Sequence, residues 1–326
     1  MRRLGRALVA VTVLALTASG CVTVHGELEV VPTATPAEAE QALKDFTDAY
    51  NKADKAYDPA LDAGRVTGAL GAINQAGLKS HSVTSPNGNP KHEPLELTDA
   101  AFTIPKKAGW PRWFLADADS NRDSDKGDGD SRWLLVFVRN GSDQLWEVAY
   151  LTILAATDVP RFATDGDGWG KPVPADSAEL AVAPGNLSEE YAAYLRDGKP
   201  EHFAAGPHTT QWRDSRKRLA SRPGLSTQFV DEPLDGGDYA PLGLTTQDGH
   251  GLVFFATRFY DRQTAAPGYR PKVSEDVRPL LTGEVKNTLT KEWVSSQAAL
   301  VKPAGAGADQ VTVLSRLQGV VAATGS

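Results

Sequence analysis

The 326-residue chain carries 34 basic and 41 acidic side chains, a formal charge of −7, and 41% hydrophobic residues including seven tryptophans. That apolar content suits packed cores and excludes a disordered stalk. The acidic balance argues against nucleic acid as a partner, and against a negatively charged lipid surface.

The chain opens MRRLGRALVAVTVLALTASGC, with Arg2, Arg3 and Arg6 ahead of an apolar run over residues 7–16 broken only by Thr12. A basic start, a short apolar core and the small residues Ala18, Ser19 and Gly20 have the layout of a secretory signal peptide over residues 1–20, too short to span a membrane. Its removal leaves about 305 residues with 31 basic and 41 acidic side chains, a net charge of −10 and length enough for two domains. Cys21 is the only cysteine, so an internal disulfide is excluded. The residues ending at Cys21 resemble a bacterial lipobox, with Ala18 where that motif usually has Leu. The resemblance implies cleavage before Cys21, lipidation of its thiol, and a place on the outer face of the cell membrane. At about 0.8 kcal/mol per buried methylene, two acyl chains make a stable anchor. An ordinary signal peptide with an incidental cysteine is the alternative.

Residues 21–35 form the anchored N-terminal segment. Val22, Val24, Leu28, Val30 and Val31 suit a short strand that pairs with the first domain's sheet. Thr35-Pro36-Ala37-Glu38 is a helix start, with Thr35 as cap, Pro36 in the first turn and Glu38 closing a capping box. Ala39, Ala42, Leu43, Phe46, Ala49, Tyr50 and Ala53 then recur at helical spacing, up to Asp58-Pro59. Residues 60–76 read as a second, glycine-interrupted helix and 80–94 as loop. Residues 95–104 read as a strand, and 117–130 as an acidic insertion. The runs 133–138 and 146–154 form a hairpin around Asn140-Gly141. This first α+β domain covers residues 36–156.

Residues 157–185, rich in Pro, Gly, Asp and Ala, read as an interdomain connection. The second α+β domain, 186–326, starts with a short helix capped by Asn186 or Ser188 and stopped by Gly198. A basic helix over 208–221 and a loop-rich stretch follow. Then come a strand over 252–260, a short helix over 275–282, and strands over 291–301 and 311–321. Helices precede strands in both halves, which implies α+β domains with helices packed on antiparallel sheets. The order fits a duplication and fits convergent layout nearly as well. It is similar to NTF2-like or cystatin-like folds, a likeness implying a concave sheet face able to hold a small apolar ligand. The lipobox, the GELEVVPTATPAEAEQAL stretch and the layout over 22–321 together resemble secreted lipoproteins of high-GC Gram-positive bacteria.

Three groups of residues are candidates for chemistry. Asp117, Asp119, Asn121, Asp123, Asp125 and Asp128 alternate as oxygen ligands for calcium would. Arg122, Ser124 and Asp128 depart from the EF-hand pattern, and a solvated hairpin insertion is the plainer reading. Trp110 and Trp113 flank Pro111 in an expected loop and, with Trp169, are candidate contacts for a ligand or partner. Trp133 and Trp146, at strand starts, suit the core. Arg213, Arg216, Lys217, Arg218 and Arg222 form the one basic cluster, expected as a solvated surface. The sequence has no Gly-x-Ser-x-Gly, Ser-x-x-Lys or His-Glu-x-x-His, and its six histidines lack paired metal spacing. The expectation is a non-enzymatic binding or scaffold module at the cell envelope that needs no cofactor. Its partners would be the membrane, through lipid on Cys21, and an envelope protein or small ligand. A hydrolase with a dispersed site and a calcium-stabilised adhesion module are the alternatives.

Overall fold

A computed structural model describes residues 29–124 and 127–326. The signal peptide, Cys21 and Asp125 lie outside the described residues. β1 (Val31–Pro32) pairs antiparallel with β3 (Lys106–Lys107), and between them in sequence come α1 (Pro36–Ala56), α2 (Gly68–Thr84) and β2 (Leu97–Thr103). β4 (Arg112–Ser120), β5 (Ser131–Arg139) and β6 (Glu147–Ala155) complete an antiparallel sheet in the order β2-β4-β5-β6.

The capping box is formed. The Glu38 amide donates to Thr35 Oγ1 at 3.2 Å, and the Thr35 amide donates to Glu38 Oε2 at 2.8 Å. Thr35→Ala removes one half of this exchange and is expected to cost about 1 kcal/mol, read as a lower urea midpoint. The second helix lies eight residues later than expected. Pro59–Leu61 makes a single 3₁₀ turn, and the helix begins at Gly68 (φ 52°), where a Cβ would sit 2.4 Å from the Asp238 carbonyl oxygen. Backbone approach at that point admits only glycine, so Gly68 marks a helix start rather than a weakness inside one.

The second half continues with β7 (Pro172–Val173), α3 (Leu187–Asp197), α4 (Thr210–Ala220), β8 (Ser221–Arg222), β9 (Leu225–Leu234) and β10 (Leu242–Thr245). β11 (Gly251–Ala265), β12 (Leu281–Gly283), β13 (Thr288–Val301) and β14 (Val311–Gly325) follow. These strands make an eight-stranded sheet in the order β12-β14-β13-β11-β10-β7. β9 lies beside β10 along the same edge of β11, and β8 pairs with β9. The fold is α+β, as the element order implies. The segment 157–185 is tied to both sheets: Val173 pairs with Gly243, and the Gly170 amide donates to the Ile104 carbonyl at 2.9 Å.

Strand alternation sets the layers. In β5, Trp133, Leu135 and Phe137 join the core under α1, while Leu134, Val136 and Val138 join a second core shared with the larger sheet. Both faces of this strand are covered, which is why it reads as the unbroken apolar run WLLVFV. In β11, Leu252, Phe254 and Ala256 face that shared core, while Val253 and Phe255 pack under α3. The order is therefore α1, small sheet, large sheet, then α3 and α4. α2 packs against β6, β13 and β14 at the seam. Ser296 Oγ donates across it to the Leu151 carbonyl at 3.2 Å.

Candidate ligand pocket

The outer face of the large sheet is apolar under α3 and changes character under α4. Period-two alternation places Thr227, Phe229 and Asp231 of β9 on one face, with Phe259, Asp261 and Gln263 of β11 beside them. The register sets Asp231 opposite Phe259 and Phe259 opposite Trp293. The next row sets Phe229 opposite Asp261 and Asp261 opposite Lys291. Ring and charge thus alternate in both directions. Helical spacing brings Trp212, Arg216 and Leu219 of α4 over this surface. Arg213 lies over the Tyr194 ring at 5.2 Å, and Lys217 and Arg218 bond within the helix to Asp214 and Ser215.

Arg216 is the pivot. Its Nη1 donates to both carboxylate oxygens of Asp231, at 2.8 and 2.6 Å, and the two side chains are only 6% and 3% exposed. Its guanidinium carbon lies 4.6, 4.9 and 5.0 Å from the ring centres of Phe259, Trp212 and Phe229. Such desolvated cation–π contacts hold the charge without water. Arg316 of β14 covers the same Trp212 ring at 3.6 Å. Phe259 and Trp293 stack at 5.5 Å with planes 6° apart. Asp261 accepts from Trp293 Nε1 at 2.9 Å and pairs with Lys291 at 3.0 Å.

Two cavities of about 220 Å³ each flank α4, and Thr227 and Phe229 line both. One is walled by Trp212, Phe259, Asp261, Lys291, Trp293 and Gln318. The other is walled by Arg213, Arg216, Lys217 and Asp231. Around them, several buried polar atoms have no hydrogen-bond partner among the described residues. The donors are Nε and Nη2 of Arg216, Nε and Nη1 of Arg316, and Nε1 of Trp212; Thr227 Oγ1, Asp261 Oδ1 and Gln318 Oε1 are also unmatched. Burial raises the pKa of Asp231 and Asp261 above the ordinary carboxylate range, against the opposing pull of Arg216 and Lys291 respectively. Burial, helped by the charge of Arg216, lowers that of Arg316.

A larger open groove of about 660 Å³ lies between α1 and β2. None of its lining residues has a buried side-chain polar atom left unmatched, and Lys44 pairs with Asp48 while Asn51 bonds both the amide and the carbonyl of Leu95. Unmatched donors, not volume, favour the site under α4 over this groove.

The residues expected to act in the first half are placed differently. Trp113 is 3% exposed in the core between the sheets, which corrects its reading as a surface contact. Its neighbour Phe114 faces α1, so both sides of β4 are apolar. Trp110 is half-buried beneath two arginines. Trp169 is half-buried beside a cavity of about 390 Å³ lined also by Phe102 and Thr164. In the acidic insertion, Asp117 bonds Arg132 at 2.7 Å, Asp119 accepts from the Ser120 amide and Asp123 from the Ser131 amide. Asn121 bridges to the backbone of Pro94 and Glu96. Among the described residues no three His, Cys, Asp or Glu side chains are grouped to hold a metal ion, and the side chain of Asp128 is not described. Arg216, expected on a solvated surface with Arg213, is the most enclosed cation of the site. The only sequence signal for it was its place four residues after Trp212.

Fold and site together define an α+β protein with a charged, aromatic-walled pocket in its second half. The chain belongs to the family described as "Domain of unknown function (DUF8094)", which it matches over residues 30–325. It is 56% identical over 315 residues to an uncharacterized lipoprotein of Streptomyces coelicolor, covering 96% of this chain and 93% of that protein. It is 53% identical over 329 residues to an uncharacterized lipoprotein of Streptomyces avermitilis, covering 100% and 97%. A second S. coelicolor lipoprotein is 26% identical over 326 residues. The resemblance to lipoproteins of high-GC Gram-positive bacteria is thereby borne out. No solved structure matches the chain. Among the described residues no helix is long and apolar enough to cross a membrane.

Proposed function

We propose that the protein is a lipid-anchored binding module on the outer face of the cell membrane, holding a small anionic ring compound in the pocket under α4. The anchor is lipid on Cys21, a reading supported by the lipobox-like residues 18–21 and by the names of the relatives. Tethering keeps the pocket near the membrane and raises its effective concentration there. The observation that carries the ligand reading is the set of buried, unmatched donors on Arg216, Arg316 and Trp212 beside stacked aromatic walls. Leaving such groups unpaired costs about 1–3 kcal/mol each. A carboxylate or phosphate would satisfy them, while a ring lies against Trp293 and Phe259.

Calorimetric titration with glucuronate, glucose 6-phosphate and benzoate, against neutral glucose, tests this. Saturable binding of at least one charged ring compound, lost in Trp293→Ala, is the expected result. Equal responses to charged and neutral compounds would contradict it. Binding should also take up protons. An arriving anion raises the already raised pKa values of Asp231 and Asp261 further and favours their neutral forms, so affinity falls as pH rises from those raised values of the free fold upward. Asp261→Asn is expected to flatten that slope in titrations at a series of pH values.

A further inference from the structure

A second charged surface lies where the N-terminal segment leaves the fold. β1 is held against β3, and Thr33 Oγ1 donates to the Pro105 carbonyl at 3.0 Å and the Trp113 carbonyl at 2.6 Å. Val31 is therefore a fixed point. Ten residues separate it from Cys21, a reach of at most about 35 Å when fully extended. Whatever lies close to β1 and β3 is held close to the anchor.

The side chains gathered there are cations and an indole. Arg112 stacks over Trp110 at 4.7 Å. Arg139 lies over both Trp110 and Trp146, at 5.4 and 4.7 Å. Lys107 donates only to the Ala108 carbonyl, at 3.2 Å, among the described contacts. Among the described ion pairs the carboxylate that meets this cluster is Glu38, 3.8 Å from Arg139 and already engaged in the capping box. Nε of Arg112, Nε of Arg139 and Nε1 of Trp146 have no partner among the described residues. Successive side chains of β3 point to opposite sides. Lys106 is thus turned away to pair with Asp165 and Asp167, and those acids do not neutralise the cluster. Val30, just before β1, is 62% exposed. The chain's overall acidity argues against negatively charged lipid, but this patch departs from the average: Lys107, Arg112 and Arg139 lie together, and Glu38 is the carboxylate paired with them among the described residues.

We propose that the surface formed by Val30, Lys107, Trp110, Arg112 and Arg139 rests on the anionic headgroups of the membrane that carries the anchor. Lys107, Trp110, Arg112 and Arg139 are each half-buried and Val30 is exposed; amphipathic indole rings settle at the headgroup level, and basic side chains that reach the surface draw anionic lipid. Docking at this surface would fix the orientation of the fold, so that lipid anchor and patch together hold the protein at two points. The geometry rests on the anchoring reading, but the contact is separable from it.

The test uses the processed chain from residue 21 with Cys21→Ser, so that no lipid is attached, in flotation with vesicles at about 0.1 M salt. Vesicles containing phosphatidylglycerol are compared with pure phosphatidylcholine. The chain is expected to float with the first and not the second. Lys107→Gln with Arg112→Gln should weaken that binding about 30-fold, at about 1 kcal/mol per basic residue. Arg262→Gln with Arg270→Gln, both exposed and elsewhere on the surface, should leave it unchanged. Thermal unfolding of each variant confirms folding. Equal flotation on neutral vesicles, equal binding by the Lys107/Arg112 variant, or competition by inorganic phosphate at millimolar levels would overturn the proposal. The mass of Cys21 in the native protein separately reads the anchor. Lipid present without vesicle binding sinks the patch alone, and vesicle binding without lipid sinks the anchor alone.

Discussion

Arg216→Met is expected to cost the protein about 3–5 kcal/mol, because it leaves Asp231 as a buried charge without a partner. The pair is almost fully enclosed, and burial already raises the Asp231 pKa against the pull of Arg216. Without the guanidinium only the weaker pulls of Arg316 and Arg196 oppose that burial. The sign of the pH dependence follows. A carboxyl whose folded pKa is raised binds protons more tightly in the fold than in the unfolded chain. The deficit is therefore smallest below the ordinary carboxylate range and grows as pH rises through the window up to the raised folded value. Adding Asp231→Leu removes the orphaned charge and should recover most of the stability, since a buried ion pair is often replaceable by apolar side chains. Urea unfolding of the single and double variants at two pH values measures both effects. A single variant as stable as the wild type would remove the case for an enclosed charge at this position.

Phe254→Ala should cost a similar amount, about 3–5 kcal/mol, for a different reason. Phe254 is fully buried between the two sheets, its ring centre 6.4 Å from that of Tyr150 on β6. Tyr150 in turn donates to the Tyr239 carbonyl at 2.7 Å, so the contact joins the halves by packing and by a hydrogen bond. A cavity there weakens the common core, not one half. Hydrogen exchange should show lowered protection in β5 of the first sheet as well as in β11 and β13 of the second. Loss confined to the second sheet would show that the halves are stable independently of their shared core.

Where local rules decide the structure, the sequence was legible. The capping box at Thr35 and Glu38, the Asn140-Gly141 hairpin and the stop at Gly198 depend on a few neighbouring residues, and the fold has all three. The α+β class followed from element order. β9 and β10 were not legible, and the reason bears on function. Residues 225–234 mix Ser, Thr, Gln, Asp, Glu and Pro, because the inward face of β9 serves the pocket, with Thr227 and Asp231 where a core strand would carry Val or Ile. A strand that lines a polar cavity loses the alternation by which strands are recognised. Arg216 was hidden for the same reason. A run of arginines on a helix reads as a solvated face, and only the register of β9 against β11 shows what that one arginine meets. Trp113 misled in the opposite sense: beside a proline it suggested a loop, while β4 had already begun at Arg112.

The polar atoms lining the pocket allow function to be separated from stability. Gln318→Met and Thr227→Val each remove a buried oxygen that has no partner. If those oxygens await a ligand, the substitutions should raise folding stability by about 1 kcal/mol each while weakening ligand retention. Thermal unfolding of the two variants checks the first half of that statement.

The most direct measurement of the pocket's occupancy is native mass spectrometry of the processed protein, taken gently from the membranes of the cells that make it. The wild type and the Thr227→Val, Gln318→Met double variant would be compared. A small anionic compound bound one to one to the wild type, and reduced or lost in a variant at least as stable, is the predicted result. A wild-type protein carrying no compound beyond its own covalent mass, or one retained equally by the variant, would contradict the reading of the α4 pocket as a binding site.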